Sequence, residues 1–168
     1  MRSLSTHSRA ALRHNRPDVH AGASLPAMTS WRDTTTQPAQ DDLDALVTLA
    51  SDRAQDLLKK YGEFFPFGVN VSDQGQEGFF DADPGLGEHP ESMEVLGLLY
   101  EGAAEAKDRW RAFAIVADAT FNGADAVRIS AEHRDAAIAL VITLPYTRKG
   151  LLKKTVTYGQ VTAHSDER

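Results

Sequence analysis

The stretch from Trp110 to Lys149 constrains the fold of this chain more than any other: WRAFAIVADATFNGADAVRISAEHRDAAIALVITLPYTRK. It holds three apolar runs separated by two short polar connectors. Ala112 to Phe121 contains Phe113, Ile115, Val116, Ala117 and Phe121. Val127 to Glu132 alternates, with Val127, Ile129 and Ala131 on one side and Arg128, Ser130 and Glu132 on the other. Ile138 to Leu144 is apolar on both sides. Period-two alternation in short β-branched runs predicts strands. Asn122-Gly123 tolerates positive φ at both positions and predicts a tight hairpin. His133-Arg134-Asp135 is too short for a parallel crossover, so the three strands form an antiparallel meander. Pro145, which has no N–H to donate, is expected to end the third strand. The apolar character of Ile138–Leu144 on both sides makes it the more central or better covered strand.

The remaining elements are expected to cover one face of that sheet. Asp42 to Tyr61 reads as a helix, with Leu43, Leu46, Val47, Ala50, Ala54, Leu57, Leu58 and Tyr61 on one stripe. Asp41 or Asp42 would cap it, and Gly62 would close it at the C-terminus. Pro90 to about Arg109 reads as a second helix. Its Gly97 and Gly102 cost about 1 kcal/mol each relative to Ala unless they serve close packing against the sheet. Between the helices, Phe64–Val71 and Glu77–Asp81 form a β-hairpin around Ser72-Asp73-Gln74-Gly75. Pro66 and Gly68 mark its first strand as an edge or a bulge. Asp83 to Gly87 is a loop, and Thr155 to Val161 adds a final strand. The fold class is therefore α+β: an antiparallel sheet, a hairpin plus a three- or four-strand meander, covered by two helices.

The chain has 168 residues, 42% of them hydrophobic, enough for a single core and an appendage. Three segments follow: an N-terminal tail over 1–40, an α+β domain over 41–162, and a loose C-terminus over 163–168. The tail has no sustained period and a disordered composition, with five arginines against two aspartates, a net +3. Its Arg-rich character is shared with transit peptides, but it lacks the apolar core of a secretory signal. Nothing before Met28 is patterned, so Met28 is an alternative start, and whether residues 1–27 belong to the native protein is open. The rest of the chain carries 13 basic and 22 acidic residues, a net −9. An acidic body argues against nucleic-acid binding, which needs clustered cations. No apolar run has transmembrane length. The absence of cysteine removes disulfides and thiolate metal sites. A cytoplasmic protein is expected.

The topology helix, two strands, helix, meander over residues 42–162 resembles the profilin-like group of folds, including Roadblock-type domains. The stretches YGEFFPFGVNVSDQG, SAEHRD and LPYTRKG resemble those of small uncharacterised bacterial proteins. The profilin-like resemblance implies a dimerising or scaffold module, and fold analogy is an associational guide to function.

Motifs with built-in chemistry are missing. There is no HExxH, GxSxG or P-loop. Glu132-His133-Arg134-Asp135 is the densest polar cluster, but neighbouring strand residues face opposite ways, so Glu132 and His133 do not converge and a solvated turn is expected. His7, His14, His20, His89, His133 and His164 are scattered. Asp81, Asp83 and Glu88 lack the further ligands of a calcium loop. No cofactor, metal or catalytic residue is expected. Two contact candidates are left. Phe64, Phe65, Phe67, Phe79 and Phe80 crowd one hairpin, where adjacent pairs must split between faces. Arg148, Lys149, Lys153 and Lys154 surround Gly150-Leu151-Leu152. Phe65, Phe67, Phe80 and those four cations are the expected partner or ligand contacts.

The first reading is a binding or scaffold module for another protein, with a second copy of the chain one such partner. Its acidic body suits neutralisation of a basic partner, as in an immunity-type protein. The second is a small-ligand sensor with a pocket between the sheet and the Phe-rich hairpin. The third is an enzyme assembled from distant residues. A deep apolar pocket favours the ligand; a flat exposed strand edge favours the protein partner.

Overall fold

The computed structural model describes residues 30–82 and 90–167. Helix α1 spans Gln37–Tyr61, followed by strands β1 (Phe67–Ser72) and β2 (Glu77–Phe80), helix α2 (Ser92–Glu105), and strands β3 (Trp110–Phe121), β4 (Ala124–His133), β5 (Ile138–Lys149), β6 (Thr155–Tyr158) and β7 (Thr162–Glu167). The strands form an antiparallel sheet in the order β2-β1-β3-β4-β5-β6, with β7 also on β5. The α+β class and the element order are those expected.

The meander is built as its alternation predicts. Asn122 and Gly123 hold φ of 51° and 76°, the two left-handed positions of a two-residue hairpin, and Phe121 pairs directly with Ala124. Register then aligns Ala114 with Ala131 and Val116 with Ile129 across β3 and β4, and Ile129 with Ile142 across β4 and β5. These residues share one face, on which α1 lays Leu43, Leu46, Ala50, Ala54 and Leu58, all essentially sealed from solvent. Burying one such leucine contributes about 2 kcal/mol.

The second helix departs from the expected one-sided cover. Helix α2 packs Val95 and Leu99 against Ile115, with Phe80 and Phe113 beside them, on the face opposite α1. The cause is visible in β3, where Phe113 and Ile115 alternate with Ala112, Ala114 and Val116: both faces of this strand are apolar. Gly97 and Gly102 do not serve close packing, since a Cβ at either would meet open space. Strand β5 is the better covered of the meander's last two strands. Its Val141 and Thr143 are buried while Arg128 of β4 is exposed, although β4 holds the more central place in the sheet.

Several boundaries also move. Helix α1 begins at Gln37 with Thr36 at the N-cap position and Pro38 in its first turn, where a missing N–H costs nothing. Asp41 and Asp42 therefore lie inside the helix rather than capping it. Gly62 closes the helix as expected, at φ 88°, its N–H bonded to the Leu58 carbonyl. Within the expected 1–40 tail, residues 30–40 are ordered. Ser30 caps a 3-10 turn, Trp31–Asp33. Arg32 makes a two-pronged contact with Asp44 at 3.0 and 2.7 Å, which ties that turn to α1. Residues 1–29 lie outside the described residues, as do His7, His14, His20 and Met28. The Asp83–Gly87 loop, Glu88 and His89 lie outside them too.

Strand β1 is internal, between β2 and β3, not an edge. Pro66 precedes it, and the ladder irregularity falls at Val71/Ser72 rather than at Gly68. Pro145 does not end its strand: β5 continues to Lys149. In a strand, a residue's N–H and C=O point the same way. The Pro145 carbonyl accepts from Gly159 N–H at 2.7 Å, so its absent donor faces Gly159–Val161, where β6 stops and β7 has not begun. The C-terminal residues expected to be loose instead pair as β7 along Ile138–Thr143.

Candidate functional site

The register that builds the core also sets one carboxylate among it. Asp118 follows Ala114 and Val116 on the α1 face of β3 and pairs with Val127, which pairs with Leu144. Two residues beyond Leu144 on the same face stands Tyr146. Its hydroxyl reaches over β4 and donates to Asp118 Oδ1 at 2.8 Å. Tyr146 is 5% exposed. Burial pushes the Asp118 carboxyl above its ordinary range, opposed by the Tyr146 hydrogen bond and Arg148, and reinforced by the charges of Asp125 and Glu63. Burial, followed by the Asp118 contact, likewise raises the Tyr146 phenol.

Asp118 and Tyr146 form the polar floor of a cleft of about 1030 Å³. Its walls are the end of α1, the Phe64–Phe67 segment, Phe79 of β2, the start of α2 and the β3–β4 end of the sheet. This volume lies at the upper end of the usual range for small-molecule sites. Phe64 and Phe67 meet at 5.6 Å between ring centroids, and Phe67 and Phe79 at 6.4 Å, both tilted. Phe65 and Phe79 are half exposed, and Tyr61 more so. Burying Phe67 while leaving Phe65 and Phe79 in contact with solvent makes an aromatic rim on an anchored base. Arg148 donates to the carbonyl of Gly62, and Arg53 lies 5.8 Å from the Phe79 ring centroid. Both guanidiniums thus brace the cleft wall.

The expected contact residues divide. Phe65, Phe67 and Arg148 line the cleft. Phe80 does not: it and Phe79 split between faces as alternation requires, and Phe80 packs against Trp110 at 4.6 Å, on the α2 side. Gly68 makes that possible, since a Cβ there would lie 2.1 Å from the Phe80 ring. Lys149 and Lys154 line a smaller neighbouring groove of about 220 Å³ with Leu58 and Val156. Lys153 belongs to the β5–β6 hairpin tip, where Leu151 and Leu152 are fully exposed. Sequence reasoning missed Asp118, Tyr146, Tyr61 and Arg53. For Asp118 the signal was present: it is the one carboxylate in step with Ala112, Ala114 and Val116.

His133 corrects a second expectation. It is 3% exposed, on the core face, while Glu132 faces the other way. The Asp135 N–H donates to His133 Nδ1 at 3.0 Å, so Nε2 carries the proton and donates to Asp42 Oδ2 at 3.1 Å. Arg111 holds the same carboxylate at 2.7 and 2.8 Å. This buried constellation joins the first turns of α1 to the start of β3 and the end of β4. Neither the cleft nor the neighbouring groove includes Asp42, Arg111 or His133, and the contacts among them fasten α1 to the sheet. Arg134, by contrast, is exposed and pairs with Asp73 at 2.7 Å.

Among the described residues, no three His, Asp or Glu side chains converge as metal ligands. No helix among them is long and apolar enough to cross a membrane. Comparison with known proteins finds no matching family model, no matching curated protein and no matching solved structure.

Proposed function

We propose that this chain is a small-ligand binding domain that takes an amphiphilic molecule into the cleft between α1, the Phe64–Phe67 segment and the ends of β3–β5. One observation carries the reading: an open cleft of about 1030 Å³ combines a rim of aromatic rings with the hydrogen-bonded Asp118–Tyr146 pair at its floor. Aromatic walls supply contact area, and a few fixed polar groups supply orientation. The outer sheet margins are β2, with four residues, on one side and β6 and β7, with four and six, on the other, so neither side offers a partner strand an unbroken edge longer than six residues. The pocket reading therefore ranks ahead of strand-edge docking. The test is purification from the native host under non-denaturing conditions, with mass spectrometry of retained small molecules. A Phe65→Ala/Phe79→Ala double variant, altering two half-exposed rings, is the control. A compound retained by the parent and lost by the variant supports the reading. Identical small-molecule profiles, with no fragment from a broad amphiphile set perturbing cleft resonances in NMR, overturn it.

A protein-binding role has its own supporting observation. Leu151 is 98% and Leu152 103% exposed at the β5–β6 tip, between Arg148 and Lys149 on one side and Lys153 and Lys154 on the other. Exposed adjacent leucines framed by cations suit an acidic partner with an apolar contact. Charge reversal by Lys153→Glu/Lys154→Glu abolishes capture of such a partner on this reading. Undiminished recovery of every partner removes it.

A further inference from the structure

We infer that the cleft selects a ligand bearing a positive charge next to an apolar or aromatic group: an amphiphilic amine or quaternary ammonium rather than a carboxylate or phosphate. The inference rests on the cleft being a ligand site, the reading proposed above, and adds the sign of the ligand's charge.

Three independent features of the lining agree on that sign. The first is the balance of formal charge. Among the described residues, Glu63, Asp81, Asp118 and Asp125 line the cleft against Arg53 and Arg148, leaving an excess of carboxylate. Among the described residues, none of these four carboxylates enters a salt bridge; the ion pairs lie elsewhere, at Arg32–Asp44, Arg111–Asp42, His133–Asp42 and Arg134–Asp73.

The second feature is the state of the two cations. Arg148 directs a guanidinium N–H to the Gly62 carbonyl, and Arg53 rests above the Phe79 ring. Each cation is thus drawn toward the cleft wall, while the four carboxylates enter no ion pair among the described residues and carry the larger uncompensated charge in the cleft.

The third is the aromatic wall. Ring faces carry negative quadrupole potential and attract a cation within about 6 Å of the centroid, more strongly when it is desolvated. Phe64, Phe67 and Phe79 follow one another along the wall at 5.6 and 6.4 Å. The mutual repulsion of Asp118 with Asp125 and Glu63 is a further contribution in the same direction: a bound cation relieves it, a bound anion adds to it. An ammonium at the Phe64 end of this wall, away from Arg53, with its apolar part against Leu57 and Phe65, would satisfy both halves of the lining.

Matched probe pairs test the charge sign separately from the cleft. Phenethylamine and 3-phenylpropionate share a ring and a similar length and differ in charge; benzyltrimethylammonium extends the set to a quaternary cation. Each is titrated into the full chain and followed by 15N–1H NMR. The expected result is that the two cations bind about tenfold or more tightly than the carboxylate. Shifts concentrate at Phe64–Phe67, Asp118 and Tyr146, and the preference weakens with added salt. Asp118→Asn/Asp125→Asn should erase most of the preference. Glu63→Gln, at an exposed residue, gives a smaller reduction and guards against loss of fold in the double variant. Equal binding of both charge types, or preference for the carboxylate, overturns the inference and leaves the cleft as a ligand site. If neither charge type produces shifts at the cleft, the ligand reading itself falls.

Discussion

The Tyr146 hydroxyl and the Asp118 carboxylate meet at 2.8 Å across the width of an intervening strand. The carboxylate is thereby fixed at the floor of the cleft with its acceptor oriented. Tyr146→Phe leaves the carboxylate without that donor and should lower stability by about 1 kcal/mol, read as a shift in the urea midpoint. An unchanged midpoint would show that water replaces the hydroxyl without loss.

The same pair sets a pH dependence. Burial holds the Asp118 carboxyl above its ordinary range, so the folded chain binds this proton more tightly than the unfolded chain. Its contribution to stability is complete below the unfolded value and is lost as pH rises through the raised folded value. Asp118→Asn removes that loss. The variant's stability relative to the parent should climb with pH through and just above the carboxylate range, then level off. Urea unfolding at a series of pH values checks this, and a difference that falls with pH contradicts it.

Tyr158 gives an alkaline counterpart. Its hydroxyl donates to the Ser51 carbonyl at 2.8 Å. Burial, then the charges of Asp52 and Asp56, push its pKa up to about 12. Stability from this group is present below about 10, the unfolded phenol value, and fades between there and about 12. Tyrosinate absorbance should show a late component near 12 that Tyr158→Phe removes, and the variant should lose less stability across that interval.

The Asp42 carboxylate is shared by Arg111 and His133. Asp42→Ala strands a cation and an imidazole N–H in a largely dry site and should cost about 3 kcal/mol. The exposed neighbour makes the control: Asp41→Ala should change stability by less than about 0.5 kcal/mol. Chemical denaturation of both variants separates a buried fastening from a generic loss of helix charge.

Two glycines should respond in opposite senses. At Gly68 a Cβ would strike the Phe80 ring, so Gly68→Ala should cost about 2 kcal/mol by overpacking. Much of that cost should vanish in a Phe80→Ala background. At Gly97 a Cβ meets open space in the middle of α2, so Gly97→Ala should stabilise by about 0.5–1 kcal/mol. Thermal unfolding of four variants, Gly68→Ala, Phe80→Ala, the Gly68→Ala/Phe80→Ala double and Gly97→Ala, decides both.

What the sequence made legible was local. Asn122-Gly123 announces its hairpin, and the Leu43–Leu58 stripe announces α1, because their signals span a few residues. What it concealed depends on distant parts of the chain. Whether α2 lies on one face or the other is a question of packing on Ile115, not of its own stripe. His133 looked like a turn residue because its partner Asp42 is 91 positions away. Pro145 looked like a terminator because the gap that tolerates it lies in a later segment. In the cleft, Phe65, Phe67 and Arg148 were readable as unusual clusters. Asp118 was readable only from its strand parity, and Tyr146 only through Asp118.

The gap at Gly159–Val161 has a consequence beyond accommodating a proline. It divides the outer margin of the sheet into pieces of four and six residues, and the opposite margin, β2, has only four. A strand from a neighbouring molecule would find no long, straight row of amides to copy along either side. Resistance to fibril-like growth is in this way written into the backbone, and a mutation that healed the gap would be expected to trade solubility for a straighter sheet.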